Sequence, residues 1–228
     1  MGSTRLFTDQ ELKEMGTLTL DSINEALDKG DGERARRLAK RMYKEFEAMH
    51  DLYCAWVTGL LSFIGRRYGD QVLEESLRES CESWIRPLMD IYAKADPRRR
   101  LQMLASGLKG HLQPMTIEED DEKFTIMMQP CGSGGRLVLG GSYGPPRNFL
   151  RIKKPQLITY GQADFPAYCA HCPFQEILPE EWTGAPFIVT FPAPSDKIGK
   201  EPCRMYLYKD PKAIPPEIYR RVGNKKPA

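Results

Sequence analysis

Of the 18 prolines in this 228-residue chain, only Pro87 and Pro97 fall before position 114. Proline has no amide hydrogen and its ring clashes with the preceding helical turn, so a segment nearly free of it can carry long helices and a segment rich in it cannot. The texture therefore assigns a helical domain to 8–112 and an α+β, Cys-rich domain to 113–215, with a basic tail over 216–228. From Pro114 onward the chain also holds 10 of its 19 glycines. The fold class this implies is α+β: an N-terminal helical bundle packed on a C-terminal antiparallel sheet.

Within the helical part the signals are local. Thr8-Asp9-Gln10-Glu11 reads as a capping box, starting a helix expected to run to about Gly30. A second helix is expected from near Asp31, with Ala35, Leu38, Met42, Phe46, Met49, Tyr53, Trp56 and Leu60 at spacings of three and four, ending near Gly65 and Gly69. Asp70 is expected to cap a third, kinked at Pro87. Asp96 and Pro97 open a fourth, reaching about His111. Met49, Tyr53, Trp56, Phe63 and Trp84 are expected to fill or line the interior.

Beyond Pro114, Lys123–Gln129, Leu137–Leu139, Phe187–Phe191 and Arg204–Tyr208 carry β-branched and aromatic residues and read as strands, giving a sheet of about four or five. Leu157–Tyr160 fits a strand or a helix. Gly132–Arg136 and Gly140–Pro146 read as loops. The five adjacent acids Glu118–Glu122 fit a solvated edge, and the tail a solvated end.

Charge excludes some functions. Lys and Arg total 33 against 31 Asp and Glu, a formal charge of +2, too small an excess to point to nucleic acid. The longest apolar stretch, Ala55–Ile64, is far shorter than the roughly 20 residues a membrane span needs, so no membrane partner is expected. The N-terminus has no apolar h-region, and Gly2 with Leu6 fits the myristoylation pattern poorly. The expected location is cytoplasmic.

In a reducing compartment six cysteines point to metal or thiol chemistry rather than to disulfides. Cys54 and Cys81 lie in helical segments and read as small buried hydrophobes. Cys131, Cys169, Cys172 and Cys203 all fall in the second half. Cys169-Ala-His-Cys172 spaces two sulfurs for one ion, and Cys131 and Cys203 sit where strands meet turns, so the four are the expected ligands of a Zn²⁺. A structural zinc would use all four. A catalytic one would use three, Cys131, Cys172 and Cys203 first, with Cys169 displaceable and His171, Glu176 or Asp164 as acid or base. A dithiol role is disfavoured because no βαβ context surrounds the motif, and His111-Leu112-Gln113 lacks the Glu of the zinc deaminases. His111, at a helix C-terminus, needs no function. The expected function is a zinc-dependent hydrolase or lyase acting on a small molecule, with His171 as proton carrier; the alternative is a ligand-binding or sensory module with a structural zinc. The large apolar residues on both sides of the second helix suggest a homodimer.

The segment Phe63-Ile-Gly-Arg-Arg-Tyr-Gly-Asp-Gln-Val-Leu-Glu-Glu-Ser-Leu, a strand leading to Cys131, a mid-domain cysteine and the closing Gly199-Lys-Glu-Pro-Cys203-Arg-Met-Tyr-Leu-Tyr resemble the L-2-amino-thiazoline-4-carboxylic acid hydrolase-like proteins. They are similar, more distantly, to 4-vinyl reductase domains. The resemblance spans roughly residues 45 to 210 and implies an α+β ligand-enclosing fold with a cysteine cluster near its pocket. The Cys169–Cys172 knuckle and the Cys131–Gly135 loop depart from it.

Overall fold

The computed structural model describes residues 5–227; Gly2, and with it the myristoylation motif, lies outside the described residues. The chain divides into two compact units, Met1–Leu52 and Tyr53–Ala228.

In the first unit the Thr8 capping box forms as expected, its hydroxyl accepting from the Glu11 amide at 3.2 Å. The helix it opens, α1 (Asp9–Gly16), is shorter than expected: the chain breaks at Gly16-Thr17 and restarts as α2 (Thr19–Asp28). Asp31 then caps α3 (Gly32–Tyr68), its carboxylate accepting from the Arg34 amide at 2.9 Å. The unit buries little, chiefly Ala26, Ala35 and His50.

The second unit begins within α3 and continues through α4 (Asp70–Tyr92) and α5 (Pro97–Gly110). Asp70 is not the cap of α4. Gly69 holds that position at φ 88°, and Asp70 instead accepts from the Gln156 side chain at 3.0 Å. Pro87 lies inside α4, which remains one helix through it, and Asp96 caps α5 as expected. Then come β1 (Met115–Glu119), β2 (Lys123–Met128), α6 (Gly134–Leu139), β3 (Arg151–Ile152), β4 (Phe165–Pro166), α7 (Phe174–Thr183), β5 (Val189–Phe191), β6 (Cys203–Tyr208) and α8 (Pro216–Arg221).

The main sheet is antiparallel in the order β1-β2-β6-β5; β3 and β4 form a separate pair. The register sets Met128 opposite Cys203, Ile126 opposite Met205 and Phe124 opposite Leu207. Period-two alternation places all six on one buried face. That face shares its core with Leu73, Leu77, Cys81, Ile85 and Met89 of α4 and Leu104 and Leu108 of α5. The change of texture at 112–113 is therefore no packing boundary.

Three further expectations are corrected, and one left open is decided. Leu137-Val-Leu is helical, in α6: a three-residue apolar run fits either period, and the glycines before it let a short helix pack closely. Leu157–Thr159, open between strand and helix, is a 3-10 helix. The tail is no solvated end, because Ile218, Tyr219 and Val222 of α8 and its end are buried. Met49, Tyr53, Trp56 and Phe63 are between 49% and 60% exposed rather than interior.

Candidate functional site

Within the second unit a cavity of about 470 Å³ is lined by all four late cysteines, Cys81, both His111 and His171, and apolar residues of the helices and sheet. Its walls follow from the elements just described. β2 and β6 bring Met128, Cys203 and Met205 to it, and β5 brings Thr190, which pairs with Met205. α3 and α4 add Val57, Leu61, Leu77 and Trp84. The Cys169-x-x-Cys172 segment lies on a 3-10 helix, Ala167–His171, that follows β4 and runs into α7.

The sulfurs share one neighbourhood. Cys131, Cys172 and Cys203 each raise the Cys169 thiol electrostatically, on top of the larger effect of burial, which carries it well above its ordinary value. Burial likewise pushes Cys172 and Cys203 up to about 12, and Cys81 also to about 12. The thiols are therefore protonated at neutral pH unless a cation replaces their protons.

Two of them have donors aimed at sulfur. Cys131 lies at the mouth of the glycine loop, where the amides of Ser133, Gly134 and Gly135 hydrogen-bond to it and oppose the effect of burial. Cys203 accepts from the Ala193 amide at 3.5 Å. The glycines are needed for the approach: a Cβ on Gly132 would run into the His111 carbonyl oxygen, and one on Gly134 would stand 2.5 Å from the Cys169 sulfur. Gly132–Arg136 thus seats Cys131 and starts α6, where the sequence suggested a free loop.

His171 is half-buried, and the desolvation around it lowers its pKa; its Nδ1–H donates to the Tyr168 carbonyl at 2.6 Å. That fixes the tautomer and leaves Nε2 as acceptor, 3.7 Å from the Cys172 sulfur. The other two acid–base candidates are spent. Glu176 is fully buried, accepting at Oε1 from the Tyr160 hydroxyl (2.9 Å) and the Thr190 amide (2.8 Å) and at Oε2 from Arg221 (2.6 Å). Asp164 pairs with Lys153 and Arg151 and does not line the cavity. His111, expected only to end a helix, was missed: its Nδ1 meets Ser133 Oγ at 3.0 Å on the cavity wall. Cys81, read as a core residue, lines the same wall.

The expected zinc centre is not preassembled. Among the described residues no three His, Cys, Asp or Glu side chains are grouped to hold an ion; the thiols ring the cavity instead of converging. Their chemistry still fits a thiophilic ion, because N–H donors to Cys131 and Cys203 are what a metal-bound thiolate requires around it. No helix among the described residues is long and apolar enough to cross a membrane. Compared with family models, with curated proteins and with solved structures, the chain finds no match.

Proposed function

We propose that the cavity is a small-molecule site with Zn²⁺ held on its wall by Cys131, Cys172 and Cys203, Cys169 being the displaceable fourth ligand, and that the protein is a zinc-dependent enzyme of hydrolase or lyase type. The observation that carries this is the arrival of four thiols and one neutral imidazole, from three separate stretches of chain, at a single cavity. When bound, zinc supplies a Lewis acid that lowers the pKa of a coordinated water. The chain's own residues do the rest. His171 takes up a proton at Nε2 while the Tyr168 carbonyl holds its other nitrogen, and the apolar walls exclude bulk water. The resemblance of Phe63–Leu77 and Gly199–Tyr208 to the hydrolase-like proteins agrees with this reading, and the free thiols of all six cysteines suit a reducing location such as the cytoplasm.

Metal analysis of the purified protein is expected to give about one zinc per chain, lost on Cys131→Ser or Cys203→Ser. His171→Ala is expected to keep the metal and to lose roughly 100- to 10,000-fold in turnover. Absence of transition metal, with all six thiols titratable in the folded protein, overturns the zinc assignment.

A second reading, a binding or sensory module with a structural zinc, is favoured by a different observation: the two carboxylates nearest the motif are both committed to ion pairs. It predicts that His171→Ala changes neither metal content nor ligand binding.

A further inference from the structure

We infer that the molecule this cavity takes is neutral, largely apolar, and equipped with a hydroxyl or amide N–H donor; the inference rests on the cavity's proposed use as a small-molecule site. Two buried polar atoms on its wall have no hydrogen-bond partner: Gln113 Oε1, which can only accept, and Thr190 Oγ1, which accepts or donates. Thr190 is only 2% exposed. Its neighbour Val189 packs with Tyr208 and Ile218 in a separate cluster, so alternation along β5 turns the Thr190 side chain to the Met205 side, which is the cavity side. The Thr190 amide already donates to Glu176, so the hydroxyl alone is left over. Leaving such a buried group unpaired is unfavourable, and a ligand donor reaching it offsets the cost.

Charge narrows the class further. Among the described residues lining the cavity there is no Lys, Arg, Asp or Glu. Arg151, the cation whose charge acts on Cys169, is committed: it donates to the Asp164 carbonyl at 2.9 Å and lies 5.1 Å from the Tyr143 ring centre. An ionised ligand would enter without a counter-ion, at high desolvation cost. Three or four thiolates around a divalent ion would be net negative and repel an anion further. Leu61, Leu77, Trp84, Phe165 and Ile198 are suited to an apolar body. A carboxylic acid, such as the one in the name of the hydrolase-like family, is therefore the wrong substrate class for this chain.

Titration calorimetry on the full-length protein as purified, near pH 7, compares naphthol, methoxynaphthalene, naphthoate and naphthylmethylammonium. Naphthol is expected to bind about fivefold tighter than methoxynaphthalene, which lacks the donor, and at least about 50-fold tighter than either ion. Thr190→Val is expected to erase the advantage of naphthol over methoxynaphthalene. Equal or tighter binding of naphthoate or the ammonium overturns the neutral class, and a naphthol advantage that survives Thr190→Val overturns the donor contact. Failure of all four probes to bind the folded protein overturns the small-molecule site itself, and the inference with it.

Discussion

Glu180, on α7, accepts from the Asn224 side chain at 2.8 Å through one oxygen while the other is buried without a partner. Burial pushes its carboxyl up from 4.5 to about 7. Between those values the folded protein keeps a proton that the unfolded chain releases. The stability it contributes is therefore present below the unfolded value and is lost as pH rises through about 7. Urea unfolding is expected to show wild-type stability falling by about 2–3 kcal/mol between about pH 5 and about pH 8 relative to Glu180→Gln, which keeps the Asn224 contact and cannot ionise. Parallel pH profiles for the two proteins would remove this account. Thr190 is another residue with a buried polar atom to spare. Because its hydroxyl has no partner, Thr190→Val is expected to leave stability unchanged or to raise it by about 1 kcal/mol, measured in the same way.

α8 shows how an element that looks dispensable in the chain holds the site together. Arg221 reaches back to Glu176 Oε2 at 2.6 Å and to the Thr190 carbonyl at 2.9 Å, and it lies 4.3 Å from the Phe191 ring centre. The ion pair therefore joins α7, β5 and α8 behind the cavity wall. Arg221→Ala would leave a carboxylate of 0% exposure uncompensated, with an expected loss of about 3–5 kcal/mol in denaturant unfolding. Arg221→Met combined with Glu176→Leu, which removes both charges, is expected to recover most of that. The double variant being no better than the single would argue against the buried charge as the cause. The residues of α6 carry the opposite lesson. Leu137-Val-Leu has strand-like composition, but Gly132 and Gly134 before it allow backbone contact with His111 and Cys169, and that contact is invisible to a periodicity argument.

At the scale of the molecule the apolar surface of α3 is unaccounted for by packing among the described residues. Within the first unit Met42, Tyr43, Phe46 and Met49 are 39–49% exposed; within the second, Tyr53, Trp56, Leu60 and Phe63 are 51–60% exposed. Exposed apolar side chains of this kind, on each unit taken separately, mark association surfaces, and we propose a second copy of the chain as the partner. Light scattering is expected to give twice the 26.0 kDa chain mass, with Phe46→Glu and Trp56→Glu shifting it to the monomer. Monomer mass for the wild type at micromolar concentration would refute self-association.

The sequence by itself determined what depends on neighbours in the chain. The Thr8 capping box, the long amphipathic helix from residue 32, the Asp96-Pro97 start of α5, and the β2 and β6 strands all follow from spacing, caps and proline placement, which act within a few residues. The four late cysteines and His171 were also legible as a set, since CxxC spacing and cysteines at strand ends are features of the chain. Tertiary structure alone decided which of these meet and which are spent. It took Glu176 and Asp164 out of the chemistry by pairing them with Arg221, Arg151 and Lys153, and it added His111 and Cys81 to the cavity wall. It also left Thr190 Oγ1 without a partner there. Those outcomes rest on contacts between residues as far apart as Glu176 and Arg221. Such contacts form only when the whole core closes, because burial and desolvation are properties of the folded volume and not of the local sequence.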